Sequence, residues 1–534
     1  MKIPGLSALL VLNWVLLYPY IGSTGQDFDA VHTYLPMARQ LLADGLGYFA
    51  TEASIHMPPF AYIWPALFGA ELGTVKTVNF LLSGATLVLV FRTGWLLHSE
   101  LAGLAAAALF ALCPTTKPFL AAALSEPPYF FLTALWIWSL AEVYVGGSRR
   151  LLIITAISLG LASITRGSLF YLLPVLVLFF FLKRERDAAI AHLAALAFPA
   201  IFIVKNAILF GFPFFATGSG NALYLGHHPV TGGFDPYYFG IGFDVGSVIQ
   251  GPDHLSLASE RLFTGIARMM VLQDDPAHLA WLYLHKLGAF LFVTNIAAED
   301  HAVWLRAWRI FALIVGAVGF AAVGSSLLRW VLGLMLAYQV AVHLPVLYTM
   351  RYSVGALDLW LVLLAGIGIA AMIERRSLAH FGKVALVTTA GLGFGWWHFV
   401  RGPEPQLDLT RSRSPLVWEM TRLHGYGLIE AVVPASVQFP TWSNFAIAMD
   451  AASGCASIRI SYRRDGQQEY SPVVTHRLDD DGRVHHYRWG ANAPLEVIAP
   501  GRLRIEAPCM MEISRLAIHK LDAGADLRER YLRR

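Results

Sequence analysis

Charged residues are scarce in this chain of 534 residues. Lys, Arg, Asp and Glu together make up 14% of it, hydrophobic residues make up 56%, and the mean hydropathy is +0.55. Soluble domains carry about 25% charged residues, so this composition excludes an ordinary soluble domain and indicates an integral membrane protein. The net charge of +4 at pH 7 is small for the length, and no clustered basic face points to nucleic acid as a partner.

Cysteine is also scarce, with only Cys113, Cys455 and Cys509. Cys113 lies in an apolar stretch, where it is most simply a small buried hydrophobe. The other two lie in the polar C-terminal region, and oxidation is expected on the outer side of a membrane. A Cys455–Cys509 disulfide and two free thiols are the alternatives, and thiol labelling of the unreduced protein decides between them.

No A-x-A-like cleavage site follows the first apolar run, so the sequence predicts a retained first span and not a signal peptide. A spanning helix needs about 20 mostly apolar residues. The candidate spans are residues 5–22, 74–97, 101–114, 119–145, 151–165, 168–182, 188–210, 304–323, 327–347, 354–373 and 384–400. The prediction is a multi-pass α-helical membrane protein with about eleven spans, some of them short enough to be tilted or re-entrant.

Positive charge in the short loops orients the chain. If the spans alternate in direction, one side receives Lys2, Arg92, Arg149, Arg150, Lys183, Arg184, Arg186, Arg329, Arg375, Arg376 and Lys383. Lys and Arg mark the cytoplasmic side. The other side then receives loops 23–73 and 211–303 and everything after residue 401. We expect a bacterial inner (plasma) membrane protein with a cytoplasmic N-terminus and a periplasmic C-terminal domain.

The pattern changes after residue 401. Residues 415–424 favour a short helix, and short alternating runs between 432 and 520 are typical of β-strands. The clearest runs are residues 457–462, 485–489, 495–498, 503–506 and 513–518, with Asp465–Gly466 and Asp481–Gly482 as hairpin turns. The predicted organisation is a transmembrane domain over 1–400 and an extracytoplasmic β-rich domain, a sandwich, over 401–534.

Two carboxylates follow the first span at the expected outer interface. Asp27 and Asp29 precede an amphipathic stretch, residues 31–46. An acid at this place can accept a proton from a hydroxyl or amine acceptor as it attacks a sugar carbon. The structural alternative is that Asp29 serves as the N-cap of the amphipathic helix.

Glu126 and Arg166 lie at outer turns on the same predicted side. Glu126 begins a span, where the helix dipole favours a carboxylate. The functional alternative is that Glu126 acts as a second acid, which binds a metal or orients the acceptor. Arg166 either snorkels to the interface or belongs to the cations that hold a donor phosphate.

The second outer loop opens with a glycine-rich stretch, residues 211–228, that contains Ser219 and Asn221. Closely spaced glycines let backbone N–H groups approach an anion, and a plain flexible loop is the alternative. Arg351 and Tyr352 end the turn before a later span. A guanidinium there is suited to hold a phosphate through paired hydrogen bonds, and interfacial anchoring is the alternative.

The order of these motifs resembles that of the GT-C glycosyltransferases, in particular the protein O-mannosyltransferase and lipid A aminoarabinose transferase branch. The resemblance covers residues 5–373 and consists of short motifs in a matching order. They are the acid after the first span, Tyr34 and Ala38, Pro58–Pro59, Ser125–Pro127, Thr165–Arg166, Lys205–Asn206, Asn221 with Gly226, and Arg351–Tyr352. Three positions depart from the family pattern: Lys205 stands for the usual arginine, and Gly167 and Ser353 stand near usual prolines.

The resemblance implies an inverting transfer of a sugar from a polyprenyl-phosphate donor. The acceptor is an envelope glycan such as lipopolysaccharide, a lipid or a protein, on the outer face of the membrane. Asp29, or else Asp27, is implied as the base, and Glu126 as the acid that assists acceptor or metal binding. The residues implied to face the donor phosphate are Lys205, Asn221, Arg351, Tyr352 and Arg166.

Three other functions compete with this one: a lipid or glycan transporter, a polysaccharide polymerase or ligase, and a scaffold whose β-rich domain binds glycans. A transporter calls for charges in the middle of its spans and for inverted repeats, and neither is apparent in the sequence. The outer-side histidines His227, His228, His254 and His301 are candidate metal ligands, but their spacing matches no standard metal-binding motif. The sequence therefore leaves metal dependence open.

Overall fold

A computed structural model describes residues 3–22, 29–227, 233, 255–292, 302–374, 378–395, 416–433, 444–455, 457–464, 474–478, 481–492 and 501–521. Regular structure before residue 396 is helical, and after residue 415 it is β-sheet. The helices are α1 (Ile3–Ile21), α2 (Leu35–Asp44), α3 (Pro59–Ala66), α4 (Leu72–Leu97), α5 (Glu100–Leu112), α6 (Lys117–Leu120), α7 (Glu126–Tyr144), α8 (Leu152–Thr165), α9 (Leu172–Leu182), α10 (Arg186–Ala195), α11 (Ala197–Phe210), α12 (Ser219–His227), α13 (Leu257–Gln273), α14 (Pro276–Phe292), α15 (Ala302–Ala322), α16 (Ser326–His343), α17 (Met350–Ser353), α18 (Leu359–Ile373) and α19 (Leu378–Gly395).

Short 3₁₀ segments and two π-helical turns complete the helical part as far as the structure describes it. The 3₁₀ segments are Gly45–Ala50, Glu52–Ile55, Arg149–Leu151 and Gly167–Leu169, and the π turns are Ala30–Tyr34 and Val354–Asp358.

Five helices of the described chain are long and apolar enough to cross a membrane. They are Leu72–Leu97, Arg186–Phe210, Trp304–Ala322, Ser326–His343 and Met350–Ile373. Shorter apolar helices lie at Gly5–Ile21, Glu100–Leu112, Gly167–Leu182 and Leu279–Phe292. The predicted helical membrane architecture is confirmed to this extent, while the figure of about eleven spans stays a prediction.

Helix α18 lies in the centre of the bundle and is buried on nearly every side. Small residues let its neighbours approach closely, as is common where apolar helices pack without a hydrophobic driving force between them. A Cβ added at Gly366 would lie 2.3 Å from Ala106 N of α5, and one added at Gly319 of α15 would lie 1.8 Å from Leu364 O. This tight packing fixes the helical element that begins with Met350.

The backbone between α6 and α7 is irregular and buried from Ala121 to Ser125. Irregular backbone is tolerated inside a membrane protein only where other groups satisfy its hydrogen bonds. Asn79 of α4 supplies one such bond, since its Nδ2 donates to Ala122 O over 2.7 Å. This anchored turn leads directly into Glu126.

Charged groups gather at both ends of α7, with different partners at each end. At its C-terminal end Glu142 pairs with Arg92 of α4 over 2.9 Å. Glu126 at its N-terminal end pairs with Arg166 and Arg351. The ion pairs of α7 therefore lie at its two ends.

The described residues after 415 form one six-stranded antiparallel sheet. Its strands are β1 (Leu416–Val433), β2 (Asn444–Ser453), β3 (Ser457–Arg464), β4 (Val474–Arg477), β5 (Val484–Asn492) and β6 (Gly501–Leu521). The order is β4-β3-β6-β2-β5, and β1 also pairs with β6. Residues from all along β6, including Leu503, Ile505, Ile513 and Leu516, share one buried core with side chains of β1, β2 and β3. The described strands therefore share one hydrophobic core.

Several details of the predicted C-terminal part are wrong. Residues 416–424 form a strand and not a short helix, because they pair with the second half of β6. The turn at Asp481–Gly482 does not form a hairpin, because β4 and β5 lie at opposite edges of the sheet. Residues 465–466 and 495–498 lie outside the described chain.

A disulfide joins Cys455 and Cys509, whose Cα atoms are 5.5 Å apart.

Candidate active site

Arg351 is the centre of a charge cluster at one end of the helical bundle. It lies in α17, where Thr349 Oγ1 accepts a hydrogen bond from Arg351 N over 3.3 Å. Its guanidinium donates to Glu126 through Nε and through Nη2, the latter over 3.0 Å, and to Asp29 through Nη1. Nη2 also donates to Tyr34 Oη over 3.2 Å. A planar guanidinium with five N–H donors suits such a junction.

Glu126 is fully buried at the start of α7, and two guanidinium groups compensate its charge. Arg166 Nη1 lies 3.2 Å from Glu126 Oε1, the same oxygen that accepts from Arg351 Nε. The Arg166 guanidinium also lies 5.5 Å from the ring centre of Tyr129 and 5.6 Å from that of Tyr352, within the range of cation–π contacts. A buried carboxylate persists as an ion only when it is paired in this way.

The absence of a side chain at Gly355 makes room for Arg166. A Cβ at this position would lie 2.3 Å from Arg166 Nη1. Arg166 Nε and Nη2 have no hydrogen-bond partner among the described residues, so these donors remain free for a ligand. The sequence-based alternative of interfacial snorkelling does not describe Arg166, whose side chain is only 11% exposed.

Asp29 is not an N-cap. Its backbone has helical angles and its side chain makes no capping hydrogen bond. The carboxylate instead pairs with Arg351 and is 41% exposed. Its Oδ1 has no hydrogen-bond partner in the described part of the chain. Asp29 thus combines a fixed position with an oxygen that is open to the cavity described below.

The π turn Ala30–Tyr34 explains how Asp29 and Tyr34 reach the same guanidinium. An α-helix places residue i+5 about 140° around its axis from residue i. In the π turn, Leu35 N donates to Ala30 O, five residues back, so residues five apart lie on one face. Helical periodicity in the sequence assumes 3.6 residues per turn, and for that reason it does not bring Asp29 and Tyr34 together.

A second π turn, Val354–Asp358, follows Arg351 and Tyr352. Its last residue, Asp358, is buried and pairs with buried Arg309 of α15, with Nη2 2.5 Å from Oδ1. Arg309 Nη1 also donates to Ser353 Oγ over 3.2 Å. These bonds anchor the helical element that carries Arg351.

The charge cluster borders a cavity of about 470 Å³. A volume of this order is usual for small-molecule sites. Asp29, Arg166, Arg351 and Tyr352 contribute polar groups to the lining, and Tyr34 lies among them. The remaining walls come from residues near the start of α3 and the end of α16, from residues between 165 and 171 that lead into α9, from residues 214–218, and from α12 and residues 346–347. Residues distant in sequence therefore meet around one space.

Asn221 also lines this cavity, but the glycine-rich loop holds an anion of the protein itself. Asn221 Oδ1 is buried and has no partner in the described chain. Gly218 N and Gly220 N donate to the carboxylate of Glu260 over 2.8 to 2.9 Å, and Ser219 Oγ donates to it over 2.8 Å. The expectation that these N–H groups approach a bound anion therefore holds for an internal carboxylate. Sequence spacing gave no sign of Glu260.

Of the predicted site residues that the structure describes, Glu126 and Lys205 do not line the cavity. Lys205 is absent from the described lining; its Nζ donates to Ser54 Oγ over 3.0 Å and lies near the rings of Phe49 and Phe210. Asp27 lies outside the described residues. His343, which the sequence did not single out as functional, does line the cavity, 5.7 Å from the ring of Tyr352.

An apolar groove of about 400 Å³ lies beside the cavity. Its lining side chains, apart from Ser158, are apolar: Phe60, Trp64, Pro128, Phe131, Leu132, Leu135, Ile154, Ile157 and Leu161. Helix α3 borders both spaces, with Ala61 on the cavity and Phe60 on the groove. Helix α7 also connects them, because Ser125, directly before α7, lines the cavity and Pro128 lines the groove.

Within the described chain, no group of three or more His, Cys, Asp or Glu residues is arranged to hold a metal ion. His227 instead bonds through Nε2 to Tyr283 Oη over 2.8 Å. His228, His254 and His301 lie outside the described residues.

A scan against family models and a comparison with curated proteins give no match. Two similar solved structures come from Archaeoglobus fulgidus. One is its oligosaccharyltransferase, tethered by a disulfide to an acceptor peptide with the NVT sequon: 13% identity, TM-score 0.38, covering 76% of this chain and 56% of that one. The other is the archaeal oligosaccharyltransferase AglB with an inhibitory peptide and a dolichol-phosphate: 11% identity, TM-score 0.40, covering 75% and 56%. The chain spans little more than half the length of both, and values this low do not establish a family.

Proposed function

We propose that this chain is a membrane glycosyltransferase of the GT-C type, which moves a sugar from a polyprenyl-phosphate donor to an acceptor on the outer face of the membrane. The observation that supports this best is the junction at Arg351. It joins a half-exposed carboxylate, Asp29, to a buried one, Glu126, at the wall of a substrate-sized cavity.

Asp29 is the base in this proposal. Of the two carboxylates, Asp29 has an oxygen open to the cavity, whereas Glu126 is buried and bound by two guanidinium groups. The acceptor oxygen bonds to the anomeric carbon as the bond from that carbon to the phosphate breaks. The acceptor's proton passes to Asp29, and the bonding electron pair leaves with the polyprenyl phosphate. Attack opposite the leaving group inverts the anomeric centre.

The two arginines have different roles in the proposed reaction. Most N–H groups of Arg351 donate to acceptors within the protein. Arg351 therefore orients Asp29 and Glu126 and contributes little to phosphate binding before the reaction. Arg166 keeps two unengaged nitrogens and is the better candidate for the departing phosphate. When Asp29 becomes protonated, Arg351 loses one anionic partner, and its charge then also stabilises the phosphate.

The groove beside the cavity supports a lipid-linked donor. An isoprenoid chain needs an apolar surface, and burying apolar area stabilises binding by about 25 cal/mol per Å². The groove offers such a surface within two residues of Glu126 along α7. A water-soluble nucleotide sugar would have no use for it.

Transfer in proteoliposomes that contain the protein and radiolabelled sugars on polyprenyl phosphate tests this function. Lipid A, a second envelope glycan and a peptide are offered as acceptors. A transferase releases free polyprenyl phosphate and labels an acceptor, and the labelled acceptor identifies its class. A transporter moves the intact donor and releases nothing, and a scaffold binds a glycan without turnover. A polymerase or ligase joins preassembled chains, so it uses a lipid-linked oligosaccharide and not the single-sugar donor.

Asp29→Asn is the decisive variant in this assay. Loss of a general base is expected to lower kcat by about 10²- to 10⁴-fold while the protein still folds. Asp27→Asn is made in parallel, and Asp44→Asn, an exposed acid at the end of α2, is the matched control. Full activity of Asp29→Asn would exclude Asp29 as the base.

A further inference from the structure

Helix α12 forms one wall of the cavity and is held at both ends by buried ionisable side chains of the second outer loop. We propose that Glu260 and Lys286 are positioning residues that dock α12 against residues 345–347 and thereby keep Arg351 in place. The part of this inference that concerns transfer rests on the proposed function. The docking itself does not.

The N-terminal end of α12 is bound by Glu260 of α13. Glu260 is 6% exposed, and it accepts hydrogen bonds from two backbone N–H groups and from the Ser219 hydroxyl, all at 2.8 to 2.9 Å. Approach this close requires glycine, since a Cβ at Gly220 would lie 2.6 Å from Glu260 O. The first N–H groups of a helix lack partners within the helix, and here one carboxylate satisfies several donors.

The C-terminal end of α12 is bound by Lys286 of α14. Lys286 is 1% exposed, and its Nζ donates to Gly226 O over 2.8 Å. An acid at the N-terminus and a basic group at the C-terminus match the direction of the helix dipole. Burial lowers the pKa of the Lys286 side chain well below its usual range, but its bond to a carbonyl needs only a donor, which both protonation states supply.

Between these two ends, α12 contacts the segment that leads to Arg351. Leu347 N donates to Ala222 O over 2.7 Å. A Cβ at Gly226 would lie 2.4 Å from Pro345 O, so helix and segment are in direct backbone contact. Arg351 lies four residues after Leu347, and Thr349, which anchors Arg351, lies two residues after Leu347. Displacement of α12 therefore removes support from the backbone that carries the guanidinium.

The same helix offers side chains to the cavity. Ser219, Asn221, Ala222 and Leu225 line it, together with Val346 and Leu347. Glu260 and Lys286 are not part of that lining, so they act through α12 and not through contact with a substrate.

Hydrogen–deuterium exchange of the full-length protein tests the docking without any assay of activity. Glu260→Gln replaces an acceptor oxygen with an N–H₂ group that cannot accept from the same donors. Loss of such charge-assisted bonds is expected to speed exchange about tenfold in peptides covering 219–227 and 345–352. Arg268→Gln, at an exposed position of α13, is the control and should change neither peptide. Faster exchange in 219–227 alone, or in neither, would overturn the proposal.

A second variant covers the case in which Glu260→Gln does not fold. Ser219→Ala removes one of the four hydrogen bonds to Glu260 and should produce a smaller change of the same kind in both peptides. Lys286→Met should do so from the other end of α12. If both variants fold and leave the exchange of 345–352 unchanged, α12 does not support that segment.

A double-mutant cycle tests the link to Arg351. Glu260→Gln should lower kcat about tenfold in the wild-type background and much less in an Arg351→Lys background, because both changes disturb the same junction. Additive effects would show that Glu260 acts elsewhere. If the wild type transfers no sugar at all, the proposed function fails, while the exchange experiment still decides the docking.

Discussion

At the scale of single residues, the site depends on the geometry of one guanidinium. Arg351 contacts Asp29, Glu126 and Tyr34 through different N–H groups. An ammonium carries the same charge on a single atom and does not reproduce this planar fork. The cluster as a whole pairs two carboxylates with two guanidiniums, so it is electrically balanced before any substrate binds.

Removal of Arg351 should expose the cost of burying Glu126. Arg351→Ala leaves that carboxylate with Arg166 alone, and breaking a buried pair costs about 3 to 5 kcal/mol. Glu126→Gln in the same background should recover part of the loss, because the uncompensated charge is gone. Thermal unfolding in detergent measures both, with Arg39→Ala on the exposed face of α2 as control. Equal instability of the single and double variants would contradict this account.

At the scale of elements, the two π turns place the functional groups. Each adds a residue to a helical turn next to a charged group of the site, Asp29 in one case and Arg351 in the other. Such irregular turns often occur at functional sites. They shift a side chain around the helix without breaking the helix, which keeps the cluster on rigid elements.

Insertion of one alanine after Val31 tests the first π turn. Val31 is exposed, so the added residue disturbs little packing, but it places Asp29 six residues before Tyr34 and rotates Asp29 by about 100° relative to Tyr34. We expect the Arg351–Asp29 contact to be lost and transfer to fall by about 10²-fold. Val31→Ala is the control, since it removes the side chain and keeps the backbone length. Normal transfer by the insertion variant would show that the spacing of five residues is not needed.

The docking of α12 should weaken in acid. Burial, together with nearby Lys286, lowers the pKa of His227 to about 4, against the opposing effects of the Leu223 carbonyl and Asp274. The folded pKa lies below the unfolded value of about 6.5. Hence the stability that neutral His227 contributes is complete above that value and is lost as the pH falls toward 4.

Exchange of peptide 219–227 at pH 7 and pH 5 measures this effect, after correction for the intrinsic pH dependence of exchange. Protection should be lower at pH 5. His227→Gln removes the titrating group and should remove the difference. A pH dependence that persists in this variant would assign the effect to another group.

At the scale of the whole molecule, the helical part and the sheet have separate hydrophobic cores. The sheet has a single small core and a disulfide between cysteines 54 residues apart. Closing a loop of this length is expected to stabilise the sheet by about 4 kcal/mol. The helical part relies on close contacts between small residues and does not depend on that bond.

Reduction should therefore loosen the sheet alone. Limited proteolysis of the intact protein with dithiothreitol should cut within 416–521 and spare the helices. The variant carrying Cys455→Ser and Cys509→Ser should be cut there with or without reductant. Thiol labelling adds an independent check, since two reactive thiols in the unreduced native protein would rule out the disulfide.

Several features of the fold follow from the sequence. Long apolar runs determine the apolar helices, because a continuous run of about 20 apolar residues can satisfy all its backbone hydrogen bonds within one segment only as a helix. The strands of the C-terminal part follow from alternation, and the run 457–462 agrees with β3. Residues 416–424 show the limit of local patterns, because pairing with β6 outweighs a local preference for helix.

Only part of the candidate site could be predicted from the sequence. Alternation of the spans placed Asp29, Glu126, Arg166 and Arg351 on one side, and the structure brings these four together. Lys205 has a similar sequence setting, yet its ammonium contacts Ser54 away from the cavity. The order of the spans along the sequence predicts on which side of the membrane a residue lies. Whether two residues share a cavity depends on how the helices pack.

By itself, the sequence determined that the chain is a bundle of apolar helices followed by a sheet, since hydrophobic length and alternation are properties of local segments. Only the tertiary structure decided that Arg351 bridges Asp29 and Glu126, and that Glu260 fills the glycine-rich loop. The physical reason is that these contacts join residues between 40 and 322 positions apart, and they depend on π turns and close helix packing that leave no periodic signal in the sequence.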